Sequence, residues 1–408
     1  MEGINVILAL GLIVVLGFFG GLALEKLKFP RITGYIIIGV LLSPSLLNVI
    51  STEAIGELGV INDIALGLIA YLIGGSLHLE SVRKVGKSIA AILPFQSLGA
   101  WFLVTLVLAL LGHFIIPGGT FWQTYFPIAF IIGAVSCATA PAATMAIISE
   151  YKAKGPLTTT LLAVVALDDA IAVVAFAIAL GVCQPLVNGL DSSAYQILAV
   201  PLLQILESVA IGAVFAIALV YMARLVKTRC LLLVVVFGMI MLCAGVTSYL
   251  GVSAILANMV VGFIVVNKTR RQDMFTVVEG IEDVIYAMFF VLAGLHFDLS
   301  VMRVAGILAL LIVLARCVGK YAGTRAGARI SHAPDTIKKY LGFALLPQAG
   351  VAIGLGLIAA IEFPSFGIVL LNGILAAVII NELITPPLTK YAIFKAGEAR
   401  IDTYDKGN

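Results

Sequence analysis

Long apolar stretches separated by short polar ones are the feature that most limits what this chain can fold into. Of its 408 residues, 62% are hydrophobic and only 12% are charged, whereas soluble domains carry roughly 25% charged residues. An apolar stretch of about 20 residues crosses a bilayer as one helix. The sequence therefore predicts an all-α polytopic membrane protein with thirteen transmembrane helices, at 4–24, 33–50, 58–77, 88–115, 125–148, 158–182, 197–223, 231–248, 251–267, 282–297, 303–327, 337–361 and 366–392.

The basic residues alternate between the connections of these spans. Of the 25 Lys and Arg residues, 22 follow an odd-numbered span, and positive charge is typical of cytoplasmic loops. This pattern predicts an N-terminus outside the cell and a cytoplasmic C-terminus, with residues 396–408 forming a short tail. The net charge of +3 is too small to indicate a nucleic-acid partner, so the predicted environment is the lipid bilayer.

An internal repeat relates spans two to six to spans nine to thirteen. The related spans are an odd number of crossings apart, so they run in opposite directions, which is typical of the inverted repeats of transporters. The residues that recur with the same type 220 positions later are Asp63, Gly74, Leu79, Arg83, Gly86 and Gly99.

Asp168 and Asp169 lie side by side in the apolar run 161–180. Ionisable side chains at that depth cost several kcal/mol or more, so they persist mainly on ion or proton pathways. Two adjacent carboxylates offer hard oxygen ligands to a cation and also exchange protons. The pair predicts a site for a transported monovalent cation and for protons; we expect no cofactor and, in the absence of a nucleophile–base set, no enzyme.

Two spans contain helix-breaking segments at matching places of the two halves. In the fifth span, Pro141 removes a backbone donor, and Ser136 and Thr139 supply hydroxyl groups near the break. In the twelfth span, Pro347 and Gln348 lie at a similar depth. Paired interruptions of this kind indicate a binding site at the membrane midplane.

Three further ionisable residues lie within spans. Arg316 and Lys320 are one helical turn apart and share a face. A basic side chain inside a bundle needs a partner, and the deep candidates are Asp168 and Asp169. Arg316 is the first choice for that partner, while Lys320 is either a second choice or reaches towards the interface. Glu382, in the last span, is predicted to support the site from just outside it.

These residues make the chain resemble the monovalent cation:proton antiporter superfamily, in particular the bacterial sodium/proton exchangers with an adjacent Asp-Asp pair. The resemblance covers nearly the whole chain. The motifs that carry it are Leu167-Asp168-Asp169-Ala170, Thr139-Ala140-Pro141, Ala315-Arg316-Cys317-Val318-Gly319-Lys320, and Asn381-Glu382 followed by Pro386-Pro387.

The resemblance implies an architecture and a location. Residues 1–395 would form one membrane domain in two parts, with two discontinuous helices crossing in the core part. The core, approximately 88–182 and 303–392, would move like an elevator against a dimerisation panel, approximately 1–80 and 197–300. The protein would be a homodimer in the bacterial inner membrane.

The resemblance also assigns roles. Asp169 would bind the ion and carry a proton, and Asp168 would be its partner. Two protons would exchange for one cation, provided that the basic partner of Asp168 releases a proton, which lysine does and arginine does not.

Three alternatives stay open at this point. Selectivity depends on cavity size and ligand number, so the transported ion is Na⁺, Li⁺ or K⁺, with Na⁺ as the first choice. A sodium-coupled organic-anion symporter of similar shape is the alternative outside the superfamily, although the carboxylate pair disfavours an anion site. A channel or a membrane-embedded enzyme would need a pore loop or a set of catalytic residues, and the sequence contains neither signature.

Overall fold

Helices build the protein in a computed structural model, which describes residues 5–26, 31–77, 86–116, 118–140, 144, 147–148, 151–188, 194–226, 228–269, 271–298, 300, 302–348 and 350–399. These residues contain no β-strand. The helices are α1 (Val6–Lys26), α2 (Arg31–Leu42), α3 (Thr52–Glu57), α4 (Val60–Ser76), α5 (Lys87–Ile115), α6 (Phe126–Val135), α7 (Pro156–Val187), α8 (Ala194–Arg224), α9 (Arg229–Tyr249), α10 (Ala254–Lys268), α11 (Asp273–Leu295), α12 (Met302–Ile330), α13 (Asp335–Ala344), α14 (Gly350–Glu362) and α15 (Gly367–Lys395).

The helical content agrees with the predicted fold class. A bilayer offers no water to unpaired backbone groups, so a chain this apolar must satisfy them within helices. Every predicted span contains at least one helix. Within the described part of the chain, eight helical segments are long and apolar enough to cross a membrane, and four apolar helices are shorter. The fold class is confirmed, and the number of thirteen crossings stays a prediction.

Most predicted spans differ from their helices by a few residues at one or both ends, and two differ by more. The span predicted at 33–50 is helical only to Leu42, because Pro44 disfavours helical backbone at Ser43. The span predicted at 282–297 begins at Asp273, nine residues earlier. Its first turns carry acidic residues that lower the hydropathy without interrupting the helix.

Glycine contacts confirm the inverted repeat. Helices α2 and α11 cross so closely that a Cβ on Gly39 would lie 2.1 Å from the carbonyl oxygen of Val291. Helices α10 and α4 make the matching contact, since a Cβ on Gly262 would lie 2.0 Å from the carbonyl oxygen of Tyr71. Val291 and Tyr71 are 220 positions apart, which is the offset found in the sequence. The two crossings are therefore related by the internal repeat.

Helices α5 and α12 pack across the axis of this repeat. Gly99 and Gly319 contact each other's backbone, and Gly323 contacts Phe95, so residue numbers rise along one helix as they fall along the other. The two helices are therefore antiparallel. Their side chains supply four of the polar groups described below.

We expect Gly319→Ala to lower the melting temperature in detergent. The added Cβ would lie 2.4 Å from the Gly99 carbonyl oxygen, and overpacking of this kind costs about 1–3 kcal/mol. Gly306→Ala on the same helix is the control, since a Cβ there meets nothing within 4 Å and alanine favours the helix by up to about 1 kcal/mol. Equal melting temperatures of the two variants would contradict the close crossing.

Candidate functional site

Two interrupted helices meet in the interior of the bundle. Helix α6 ends at Val135, and residues 136–140 are non-helical. Helix α13 ends at Ala344, and α14 begins at Gly350. Each interruption leaves carbonyl groups without a partner in their own helix. The predicted Pro141 lies outside the described residues.

The two interruptions contact each other directly. The Ala140 N–H donates to the Pro347 carbonyl oxygen at 2.9 Å. The Gln348 side chain donates from Nε2 to the Val135 carbonyl oxygen at 3.1 Å, and the Thr139 hydroxyl lies 3.3 Å from the Leu345 carbonyl oxygen. The predicted crossing of two discontinuous helices is therefore present in the structure.

Arg316 binds this crossing rather than a carboxylate. Its guanidinium donates from Nε to the Ser136 carbonyl oxygen at 3.0 Å and from Nη2 to that of Ala138 at 2.7 Å. It also donates to the carbonyl oxygens of Leu346 and Pro347 in the other interruption. Arg316 is fully buried. The expectation that it pairs with the aspartates is wrong, because the free carbonyl groups of both broken helices surround its planar fork of donors.

Lys320 is the partner of Asp168. Its Nζ lies 2.8 Å from Oδ2 of Asp168, and both side chains are fully buried. Lys320 also donates to the hydroxyl group of Thr139. A buried ammonium group requires partners such as the Asp168 carboxylate and the Thr139 hydroxyl group. Because Lys320 is held by these two groups, it does not reach towards the membrane interface.

Asp168 is saturated with hydrogen bonds. Oδ1 accepts from Gln96 and, at 3.0 Å, from the hydroxyl group of Ser97. Oδ2 accepts from Thr139 as well as from Lys320. With four donors, this carboxylate has no further lone-pair direction to offer a cation.

Gln96 and Ser97 of α5 are the site residues that sequence reasoning missed. They form an isolated polar pair within the apolar run 88–115, and both are buried. The internal repeat carried a second signal, since Gln96 lies 220 positions before Arg316. Applying the offset to the polar residues of α12 would have identified Gln96.

Asp169 has a different environment. It is 8% exposed, and its Oδ1 is buried without a hydrogen-bond partner among the described residues. Val173 lies one turn later on the same face of α7, and it lines a small cavity with Leu66 of α4, Ile255 of α10 and Gly354 of α14. Asp169 therefore lies where α7 faces helices of the first and second halves of the chain.

The remaining predicted residues lie around the crossing. The Ser136 hydroxyl donates to its own helix, at the Ile132 carbonyl oxygen. Gln348 accepts at Oε1 from Asn381, at 3.2 Å. The neighbouring Glu382 is buried and accepts from the Thr33 hydroxyl of α2 at 3.0 Å. Asn381, rather than Glu382, is thus hydrogen-bonded to the residues of the crossing.

In this arrangement Arg316 supplies a positive charge to the carbonyl groups of the crossing, and Lys320 pairs with Asp168. The adjacent Asp169 keeps a carboxylate oxygen without a partner among the described residues. No group of three or more His, Cys, Asp or Glu side chains that could hold a metal ion occurs in the described ranges. The chemistry that this geometry allows at Asp169 is reversible binding of a proton or of a weakly held cation.

Curated proteins similar to this chain carry antiporter names. The chain is 25% identical to the Na⁺/H⁺ antiporter NhaS4 of Synechocystis, with 94% of this chain and 95% of that protein covered. It is 30% identical to the Na⁺/H⁺ antiporter NhaP of Pseudomonas aeruginosa, over 56% of this chain and 54% of that protein. It is also 26% identical to the Cation/H⁺ antiporter 19 of Arabidopsis thaliana, over 83% of this chain and 43% of that protein.

A solved structure shares the fold. The structure of the sodium proton antiporter MjNhaP1 from Methanocaldococcus jannaschii at pH 8 matches with a TM-score of 0.77, covering 96% of this chain and 98% of that chain at 18% identity. The model of the transmembrane sodium/hydrogen exchanger family matches residues 11–391. The chain therefore belongs to the sodium/hydrogen exchanger family, within the monovalent cation:proton antiporter superfamily.

Proposed function

We propose that this protein is a secondary active antiporter that exchanges a monovalent cation for protons, with Na⁺ as the first choice for the cation. The observation that carries the proposal is the contrast between the two aspartates. Asp168 is saturated by four donors, whereas Asp169 has a buried oxygen atom without a partner among the described residues. The names of the similar proteins NhaS4 and NhaP favour Na⁺.

In the proposed mechanism, the cation and the proton compete for the Asp169 carboxylate, and this competition couples the movement of one to the movement of the other. A cation that loses its hydration shell needs oxygen ligands, and the Asp169 carboxylate supplies one only when it is deprotonated. A proton on the same carboxylate removes the charge that attracts the cation. The hydroxyl group of Thr139, which donates to the adjacent Asp168, is one candidate for a further oxygen ligand, and Ser136 and the carbonyl groups of the crossing are others.

The number of protons depends on Lys320. Arginine stays charged in proteins, whereas a buried lysine can release its proton. Because Lys320, and not Arg316, pairs with Asp168, the pair can lose and regain a proton as Asp169 binds and releases a cation. We propose an exchange of two protons for one cation, which moves net charge across the membrane.

Alternating access requires two parts that move past each other. We propose a core of approximately 88–182 and 303–392 and a panel of approximately 1–80 and 197–300. The apolar cavity around Val173, Leu66 and Gly354 lies at the boundary of these parts. Apolar side chains such as these can slide without breaking hydrogen bonds, so the core can carry Asp169 from one side to the other in an elevator-like motion.

The remaining parts of the proposal concern assembly and location. The panel would also hold two copies together as a homodimer. The chain would lie in a bacterial inner membrane with its N-terminus outside and its C-terminus in the cytoplasm, as its basic residues indicate.

Transport by the purified protein in proteoliposomes tests the function. An imposed pH gradient should drive uptake of Na⁺, and parallel assays with Li⁺ and K⁺ measure the selectivity. A potassium ionophore that clamps the voltage should accelerate exchange if net charge moves. Exchange whose rate does not respond to the clamp would refute the two-proton cycle, and the absence of uptake for all three cations would refute the antiporter.

A further inference from the structure

Glu398, three residues after α15 ends, caps the helix that carries the two aspartates. Its Oε1 accepts from the Leu157 N–H at 2.7 Å, and its Oε2 accepts from both the N–H and the hydroxyl group of Thr158 at 2.7 Å. Its carbonyl oxygen accepts from the Lys154 N–H at 3.0 Å. Glu398 is 7% exposed. The carboxylate thus satisfies the first-turn donors of α7, although it lies some 240 residues away in sequence.

Two glycines make this contact possible. Gly155 precedes α7 in the position where a side chain normally caps a helix, and a Cβ there would lie 2.3 Å from the Glu398 carboxyl carbon. Gly397 has φ of +73°, a conformation that favours glycine, and it reverses the chain after α15. The absent cap at Gly155 and the turn at Gly397 are therefore both explained by the position of Glu398.

Aromatic contacts extend the attachment. The rings of Tyr151, before α7, and Phe394, on α15, pack edge to face with centroids 5.0 Å apart. The Lys390 ammonium lies 4.7 Å from the centre of the Tyr151 ring. Lys390 and Phe394 are four residues apart and share one face of α15. The segment that leads into α7 is thus held by this face and by Glu398.

We propose that Glu398 is a positioning residue for the transport site, because it ties the start of α7 to the end of α15 and so fixes the depth and rotation of Asp168 and Asp169. Helix α7 is continuous from Pro156 to Val187. Asp169 lies 11 residues after Thr158, about 16 Å along the axis at 1.5 Å per residue. A shift at its first turn therefore moves both carboxylates relative to Thr139 and Lys320, which belong to other elements. This inference rests on the proposed function of Asp169.

Capping and tethering can be separated by two variants. Glu398→Ala removes the cap and the side-chain part of the tether, while the backbone and aromatic contacts remain. Adding Gly155→Asp restores a cap from the residue that precedes α7, in the space that Glu398 leaves, without restoring the side-chain connection to α15. We expect Glu398→Ala to lower the melting temperature, to reduce the hydrogen-exchange protection of the Leu157 and Thr158 amides, and to raise the KM for Na⁺ several-fold in proteoliposomes. The double variant should recover the melting temperature and the amide protection but keep the raised KM.

The KM of the double variant decides between a positioning role and a capping role for Glu398. A KM that returns to the wild-type value in the double variant, or that never changes, would overturn the positioning role and leave Glu398 as a cap only. If Glu398→Ala does not fold, Glu398→Gln takes its place, since it keeps the length of the side chain and should raise KM less. Glu57→Ala, at an exposed glutamate on α3, is the control for KM. If the wild-type protein transports no cation, the proposed function fails, while the amide protection still tests the contact itself.

Discussion

Asp169→Asn is expected to abolish cation–proton exchange while the protein stays folded. Asp169 is the member of the pair with a buried oxygen that has no partner among the described residues. In the proposed mechanism, its replacement removes the charge that attracts the cation and the group that exchanges the proton. Asparagine has nearly the same shape, and no hydrogen bond from a described residue to Oδ1 is lost. The measurement is pH-gradient-driven Na⁺ uptake in proteoliposomes, together with the melting temperature in detergent.

The matched control for this prediction is Asp63→Asn. Asp63 lies on α4, and its side chain is exposed. The same chemical change there should leave both the rate of exchange and the melting temperature near their wild-type values. Wild-type exchange by the Asp169 variant would show that the cation binds elsewhere in the molecule. A collapse of its melting temperature would instead identify Asp169 as a structural residue.

Much of the fold could be predicted from the sequence because the bilayer restricts the choices. Hydropathy alone located a helix in every predicted span. The glycines at 74, 99, 294 and 319, which indicated the repeat, lie at close helix crossings in the structure. Glycine positions are informative here because a Cβ on these residues would lie within 3 Å of a backbone atom of the neighbouring helix. Only glycine fits at such a crossing. The broken helices were predictable from prolines at matching places of the two halves, since proline removes a backbone donor. A proline alone is not sufficient, because Pro94, Pro386 and Pro387 lie within continuous helices.

The assignment of partners could not be predicted in the same way. Helical spacing places Arg316 and Lys320 on one face, but it does not say which of them lies at the depth of Asp168. One turn of helix, about 5.4 Å, decides whether a side chain meets a carboxylate or the carbonyl groups of the crossing. The contact of Glu398 with α7 depends equally on tertiary structure, and the predicted tail 396–408 gave no reason to expect it.

The crossing of the two interrupted helices requires a permanent positive charge, and Arg316 supplies it. Carbonyl groups of both interruptions converge on it, and their partial negative charges at two helix ends would otherwise repel each other. Arginine holds them in every state of the transport cycle because it does not deprotonate. Lys320 is thereby left to pair with Asp168, and the only carboxylate of the pair without a basic partner is Asp169.

Lys320→Gln is expected to destabilise the protein strongly. The substitution leaves the Asp168 carboxylate fully buried without its counter-charge, and breaking a buried ion pair in this way costs about 3–5 kcal/mol. Asp168→Asn should be costly for the converse reason, since the Lys320 ammonium would then keep only neutral partners. The measurement is the melting temperature of each variant in detergent.

The double variant Lys320→Gln/Asp168→Asn distinguishes a coupled ion pair from two independent residues. It contains no buried charge at either position, and Gln96, Ser97 and Thr139 still provide neutral hydrogen-bond partners. Its loss of stability should therefore be smaller than the sum of the two single losses. Additive losses would contradict the pairing.

The same double variant also tests the charge balance of transport. Without Lys320 and Asp168, only Asp169 carries a proton in the proposed mechanism. One proton would then exchange for one cation, and the response of the exchange rate to the voltage clamp should disappear. A response that persists would move the second proton to another group.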